Sequence, residues 1–407
     1  MAEAPAGTIS RRIQAAVYGA GLFSIGGGNM VAVAVPLMLL AQGTPAYMIG
    51  LVMGARHFLP VLFAIHSGTL MDRLGPRRVM MVCGVLATLI PLAYPLTSLL
   101  WLVTVLQTLL GFAASTCWVG AQTVVGQRMR GDAATASRLS FAVQIGTLVS
   151  PAIAGSAWDW LGDWGAFGFM SIWGLGLLGS ALLLPKEEGE PGRARVSRGI
   201  LMPRWRDYWE TGRMMREPAI AVVVIGSMLN IVSAGIEGSF YVVYLEKIGI
   251  SATLMGVLLA IAGAAAAVGC LMVGWFARRL DGFWLLMIWV SVPILSLAVT
   301  PFCDSFLALA LFAVLRGLGW GWGQPLMITL LANAAPAATQ GRCVALRNTA
   351  NRLTNSILPV VMGAVVEMAG LEASFPIMGI VVMAGVAWLT LIVARSPKLR
   401  SLRAERV

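Results

Sequence analysis

Residues 13–55 read IQAAVYGAGLFSIGGGNMVAVAVPLMLLAQGTPAYMIGLVMGA, without one charged side chain. A helix crossing about 30 Å of hydrocarbon needs roughly 20 apolar residues. This run is too long for one crossing, and Gln42-Gly43-Thr44-Pro45 breaks it. It therefore holds one full membrane span and the start of a second. The same arithmetic governs the rest of the chain. Residues 79–127 are again uncharged, with a break at Pro95-Leu96-Thr97-Ser98.

Extended over all 407 residues, this reading yields twelve spans: 14–41, 47–70, 79–95, 99–127, 139–158, 165–185, 219–245, 252–276, 283–302, 305–333, 344–366 and 374–394. All are expected to be helical, because lipid leaves backbone polar groups no partner outside their own segment. A β-barrel would need alternating strands of about ten residues, whereas these runs are apolar on every face. Composition agrees. Hydrophobic types make up 58% and charged types 12%, too little charge to coat two soluble domains, so a cytosolic enzyme is excluded.

The net charge of +11 reads as topology rather than as a nucleic-acid footprint. Twenty-four Lys and Arg fall in the N-terminal segment, the even-to-odd loops and the C-terminal segment, and only Lys247 in the opposite loops. The positive-inside rule then predicts both termini on the cytoplasmic side. Ser10-Arg11-Arg12 precedes an apolar run too long for a signal peptide, so that run is read as an uncleaved first span. The expected location is a bacterial cytoplasmic (inner) membrane, crossed many times. Cys83, Cys117, Cys270, Cys303 and Cys343 are scattered and His57 and His66 are too few for a metal cluster, so neither metal nor cofactor is expected.

The polar stretch 186–217 divides six spans from six. It gives an N-terminal bundle over 1–185, a linker, and a C-terminal bundle with a short basic tail over 218–407. Within the linker, Trp205, Tyr208 and Trp209 share one helical face, consistent with either a surface helix or a plain connection. The halves repeat. Pro151 and Gly155 match Pro359 and Gly363 at an offset of 208 residues, and Gly162, Phe167 and Met170 match Gly370, Phe375 and Met378 at the same offset. Duplicated halves suit a transporter that rocks about a midplane site.

Between spans 2 and 3 the chain reads Gly68-Thr-Leu-Met-Asp72-Arg73-Leu-Gly75-Pro76-Arg77-Arg78. This resembles the signature loop of the major facilitator superfamily, with one extra residue before the final basic pair. Gly75 permits a turn with φ > 0, and the resemblance implies a conformational role for Asp72 and its basic neighbours. Gly146-Thr-Leu-Val-Ser150-Pro151-Ala-Ile-Ala154-Gly155 resembles the antiporter motif of that family's proton-driven drug and metabolite exporters, with Ser150 and Ala154 replacing two glycines. Those exporters also carry an arginine in span 4, where this chain has Gln107.

Charges inside spans are costly, about 2.5–3.5 kcal/mol each on insertion scales, and mark functional candidates. Arg56, Arg316 and Arg352 are expected at the substrate, together with Trp320, Gln324 and Asn351; by the resemblance the three arginines and Glu237 can reach the central cavity. Glu237, the one central carboxylate, is the candidate proton carrier. The three arginines suggest an anionic or zwitterionic substrate. Structural alternatives stand beside these: Arg352 paired with Asp72, Arg56 with Glu237 or a backbone carbonyl, and Trp320, Trp322 and the glycines of span 10 serving packing. The expected function is proton-coupled export of a small amphipathic or anionic organic compound by alternating access. The alternatives are proton-linked uptake of an organic anion and, more distantly, a non-transporting receptor. The expected partners are that solute, protons and the lipid bilayer, and the protein is expected to act as a monomer, not as an enzyme.

Overall fold

The computed structural model describes residues 10–63, 71, 74–128, 133–185, 209, 212–277, 279–280, 282–303, 305–323, 326, 330 and 340–395. Among them every regular element is helical. Span 1 is Arg11–Ala41. Span 2 comes in two pieces, Ala46–Ala55 and Phe58–Leu62. The break has a cause in sequence: Pro60 has no N–H to return to the Arg56 carbonyl four residues earlier. Span 3 is Pro76–Ala93 and span 4 Leu100–Arg128. Spans 5 and 6 run through Ala133–Leu183, reversing at Gly162, where φ is 66°. Span 7 starts as Pro218–Ile236, widens to a π-helical turn over Glu237–Tyr241 and ends as Val242–Lys247. Spans 8 and 9 are Ala252–Ala277 and Gly282–Ala298, the latter followed by a 3-10 turn, Thr300–Phe302. Span 10 is Phe306–Gly321, started by Ser305, whose hydroxyl accepts from the Ala308 N–H. Spans 11 and 12 are Gln340–Ala369 and Leu371–Arg395.

Among the described residues, seven helices are long and apolar enough to cross a membrane, one of them, Arg138–Leu183, containing the Gly162 reversal, and three shorter ones are apolar. The outer surface bears Leu96, Trp101, Trp160, Leu271 and Leu307, each more than 60% exposed, as expected where hydrocarbon is the solvent. The linker helix expected around Trp205 and Tyr208 lies outside the described residues. So do Gly68, Asp72 and Arg73 of the signature loop. Gly75 of that loop has φ 82° and starts span 3 with Pro76 at its first position.

Spans 1, 3, 4 and 6 pack together, as do spans 7, 9, 10 and 12. The two sets meet along spans 2 and 11 and spans 5 and 8. Both seams are glycine crossings. A Cβ on Gly50 would meet the Pro359 carbonyl, and one on Gly256 the Pro151 carbonyl. A Cβ on Gly155 would meet the Ala252 carbonyl, and one on Gly363 the backbone of Ala46 and Tyr47. The seams are copies of each other. Pro151 and Gly155 repeat as Pro359 and Gly363 at 208 residues, while Ala46 and Gly50 repeat as Ala252 and Gly256 at 206. The turn glycines follow the same offsets: Gly43 (φ 69°) with Gly249 (φ 79°), and Gly162 (φ 66°) with Gly370 (φ 86°).

These crossings lie at the ends of the spans near the Gln42–Pro45 and Ile248–Ser251 turns, termed here the far face; the near face is that from which span 1 starts. At the far face Asp159 links the seam of spans 5 and 8 further. Its carboxylate accepts from the Ala252 N–H (3.1 Å) and the Thr253 N–H (2.7 Å), capping the first turn of span 8.

Candidate functional site

With the far-face seams shut, a cavity of about 790 Å³ remains between the two sets of spans. It extends from the level of Pro151 and Glu237 toward Ser140 and Cys270, that is, toward the near face. Span 1 contributes Asn29, span 4 Trp118, span 5 Ser140, Gln144 and Thr147, span 7 Glu237 and span 10 Trp320. Among the described residues of its lining, Glu237 is the single ionisable acid or base apart from the Cys270 thiol. Two indoles and a set of amides and hydroxyls complete a wall that is apolar with a few directional polar groups, the usual make-up of a small-molecule site.

Glu237 opens the π-helical turn of span 7. Such turns replace i→i+4 bonding by i→i+5 and are enriched at functional sites. Behind Glu237, Arg316 of span 10 donates from Nη2 to Glu237 Oε1 over 3.0 Å. Arg316 is 0% exposed and Glu237 4%. The Arg316 guanidinium also lies over the Tyr241 ring, 4.6 Å from its centroid. Glu237 Oε2 and Arg316 Nε and Nη1 are buried and have no hydrogen-bond partner among the described residues. A buried ion pair with idle donors and acceptors is a poor stabilising device, because full satisfaction is what offsets its desolvation. Trp320 stands beside the pair and donates from Nε1 to Ser233 Oγ over 3.0 Å.

The expected substrate residues are distributed differently from the sequence reading. Trp320 lines the cavity. Arg316 does not line it, whereas its partner Glu237 does. Arg56 is also off the cavity: it faces a separate, small hollow within spans 1–6 and is not paired with Glu237. Arg352 donates from Nη1 to Ser115 Oγ of span 4 over 2.6 Å, a bond between the two sets of spans. Asn351 exchanges hydrogen bonds with Ser227 of span 7, at 2.8 and 3.0 Å. All four lie within spans, and none of them belongs to the lining of the large cavity. Gln324 lies outside the described residues.

The small residues have a packing role throughout. Gly317 and Gly321 press on the span 8 backbone, and Gly319 and Gly323 on Pro293 and Trp289 of span 9. In the antiporter-like motif, Gly146 presses on Leu22 of span 1, while Pro151 and Gly155 form the span 8 crossing. Sequence reasoning missed Asn29, Trp118, Ser140, Gln144 and Thr147. A signal was available: Ser140, Gln144, Thr147 and Pro151 recur at i, i+4, i+7 and i+11, one face of span 5.

The profile of the Major Facilitator Superfamily matches residues 17–353. Solved structures share the fold over nearly the whole chain. One is the nucleoside transporter NupG (TM-score 0.78, 14% identity, 95% of this chain and 99% of that one). Another is a POT family transporter in complex with 5-aminolevulinic acid (TM-score 0.76, 15% identity, 96% of each chain). A third is a D-xylose-proton symporter (TM-score 0.68, 14% identity, 94% of this chain and 97% of that one). At such identities the likeness shows the fold alone. No curated protein matches the sequence.

Proposed function

The chain belongs to the major facilitator superfamily, whose members are secondary transporters that cross the membrane many times rather than enzymes; from that premise we propose that it couples proton movement to the passage of a small amphipathic organic compound by alternating access. One observation carries this reading: a cavity-lining glutamate, Glu237, held by a fully buried arginine, Arg316, with three of the pair's five polar side-chain atoms unbonded among the described residues. A proton reaching Glu237 from the cavity removes the charge that compensates Arg316. Breaking a buried pair costs about 3–5 kcal/mol, comparable to the gap between two conformations of a transporter. Protonation thus biases the halves toward whichever arrangement re-partners Arg316.

The 24-to-1 distribution of Lys and Arg supports a cytoplasmic near face, so the conformation described here is the inward-facing one. The cavity wall favours a neutral or weakly basic solute with an aromatic or apolar body, which Trp118 and Trp320 would contact. Expulsion fits the packing of Gly146, Pro151 and Gly155, which follows the antiporter-like pattern. Uptake of an organic anion is the second reading; it requires Arg316 to move past Glu237 to meet the solute. A thermal-shift screen of aromatic amines, neutral aromatics and organic acids on purified protein, followed by counterflow of the best ligand in proteoliposomes with and without a pH gradient, tests the proposal. Gradient-dependent accumulation is expected; transport indifferent to the gradient would sink the coupled scheme.

A further inference from the structure

Arg56 is the intramembrane charge that the transport scheme leaves unused, and it is partly buried. It sits at the break of span 2, directly after Ala46–Ala55. Its carbonyl, released by Pro60, packs against span 4, where a Cβ on Gly111 would collide with it. Its side chain enters a hollow of about 40 Å³ walled by Ser24, Gly28, Pro91, Gln107 and Trp173. This hollow lies on the opposite side of span 1 from the central cavity: Ser24 and Gly28 face it, whereas Ile25 and Asn29 face the cavity.

The hollow is built around the guanidinium. A Cβ on Gly28 would fall 2.9 Å from Arg56 Nη2, so glycine there makes room for the charge. Gln107 is fixed beside it: the Tyr94 hydroxyl donates to Gln107 Oε1 over 2.6 Å, and Gln107 Nε2 donates to Met53 Sδ over 3.6 Å. Among the described residues the ion pairs are Lys247–Glu372 and Arg316–Glu237, and Arg56 has no carboxylate. Arg316, at similar depth, has a carboxylate to compensate it; Arg56 has a cavity in that place. At about 40 Å³ against about 790 Å³ for the main cavity, the hollow is far too small for an organic solute of the size the main cavity admits.

We propose that this hollow is a resident site for a small monovalent inorganic anion, such as a halide or nitrate, bound by the Arg56 guanidinium and neutralising it inside the first six spans. The ion is a structural counter-charge and is not the transported solute. It holds the break of span 2 in place, next to the seam with span 11.

The test uses the purified full-length protein in detergent with gluconate as the sole anion, titrated with chloride, bromide or nitrate at constant ionic strength. Thermal stability should rise saturably by a few degrees with each small anion and not with added gluconate. Arg56→Gln should abolish the response. Arg56→Lys, which keeps the charge but loses the planar fork, should weaken the apparent affinity about tenfold. Arg352→Gln, whose parent side chain is bonded to Ser115, should keep it. Should Arg56→Gln fail to fold, crystals of the unmodified protein grown with bromide give a second reading: an anomalous peak in the hollow is expected. A stability curve indifferent to halide, an equal response in Arg56→Gln, an empty hollow in bromide crystals, or stabilisation by organic acids alone would each overturn the proposal.

Discussion

Arg316 reaches Glu237 over 3.0 Å from a position with no exposure at all, while Glu237 is 4% exposed and belongs to the lining of the solute cavity. The two charges therefore differ in what can reach them. A proton or a solute in the cavity meets the carboxylate first, and the arginine only through it. This asymmetry separates a coupling pair from a merely structural one, and it sets the first prediction.

Glu237→Gln removes the titratable group while keeping its shape. Gradient-driven accumulation in proteoliposomes should fall at least about tenfold, with solute exchange in the absence of a gradient partly retained. The variant should also be less stable, because Arg316 loses its counter-charge; leaving one buried charge alone typically costs about 3–5 kcal/mol. The double variant Glu237→Gln/Arg316→Met should recover much of that stability and still fail to couple. A double-mutant cycle on melting temperature checks the first half. Coupled transport by the double variant would show the pair to be structural only.

The glycine crossings make a second prediction. At Gly50 and Gly256 there is no space for a methyl without moving the Pro359 or Pro151 backbone. Gly256→Leu inserts a larger group, and overpacking of this kind costs about 1–3 kcal/mol. Charged against the far-face-closed conformation alone, that shifts the balance about 5- to 160-fold toward opening at that face. Distances between spin labels placed on the far-face ends of spans 5 and 8 would report it as a second, longer population. Gly50→Leu should behave alike, because the two seams are repeats. An unchanged distance distribution in both would refute the gating role of the crossings.

Much of this was legible in the chain. Charge-free runs gave the spans, since bilayer thickness sets a length that sequence must match. The 208-residue repeat announced one side of each seam, Pro151 and Gly155 in one and Pro359 and Gly363 in the other. The partner segments Gly43–Gly50 and Gly249–Gly256 escaped notice because their offset differs by two residues. The site was less legible. Arg56, Arg316 and Arg352 are placed by depth alone in a sequence, and depth does not say which neighbour a helix face meets. The π-helical turn at Glu237 is similarly silent: no residue type demands it, and Gly235 and Gly238 merely allow it. Polar residues without charge, such as Gln144 and Thr147, are easily lost among the many hydroxyls that bond back to their own helix.

Asp159 supplies the third prediction. It is a side chain from span 5 capping the first turn of span 8, so its two bonds exist only while the far face is shut. Asp159→Asn keeps one acceptor and loses the charge at the helix N-terminus. Caps and charge–dipole contacts of this kind are worth about 0.5–2 kcal/mol. The far-face-open population should rise by roughly two- to thirtyfold, additively with a distant change and less than additively with Gly256→Leu, which acts on the same seam. The same spin-label pair measures it; full additivity would show that the two act on separate events.

Cys270 offers a direct check on which way the cavity opens. It lines the near-face part of the cavity and is the exposed cysteine among the five, Cys83, Cys117, Cys303 and Cys343 being buried. Its Sγ lies 2.8 Å from the Gly321 carbonyl, at the crossing of spans 8 and 10. A membrane-impermeant maleimide should therefore label one thiol per molecule, lost in Cys270→Ala. If the near face is cytoplasmic, inside-out vesicles should label at least about tenfold faster than right-side-out ones. A far-face opening imposed by Gly256→Leu should slow the inside-out reaction, since alternating access closes one side as the other opens. Equal rates from both sides would overturn the assigned orientation, and labelling unaffected by Gly256→Leu would break the link between the far-face seams and the near-face cavity.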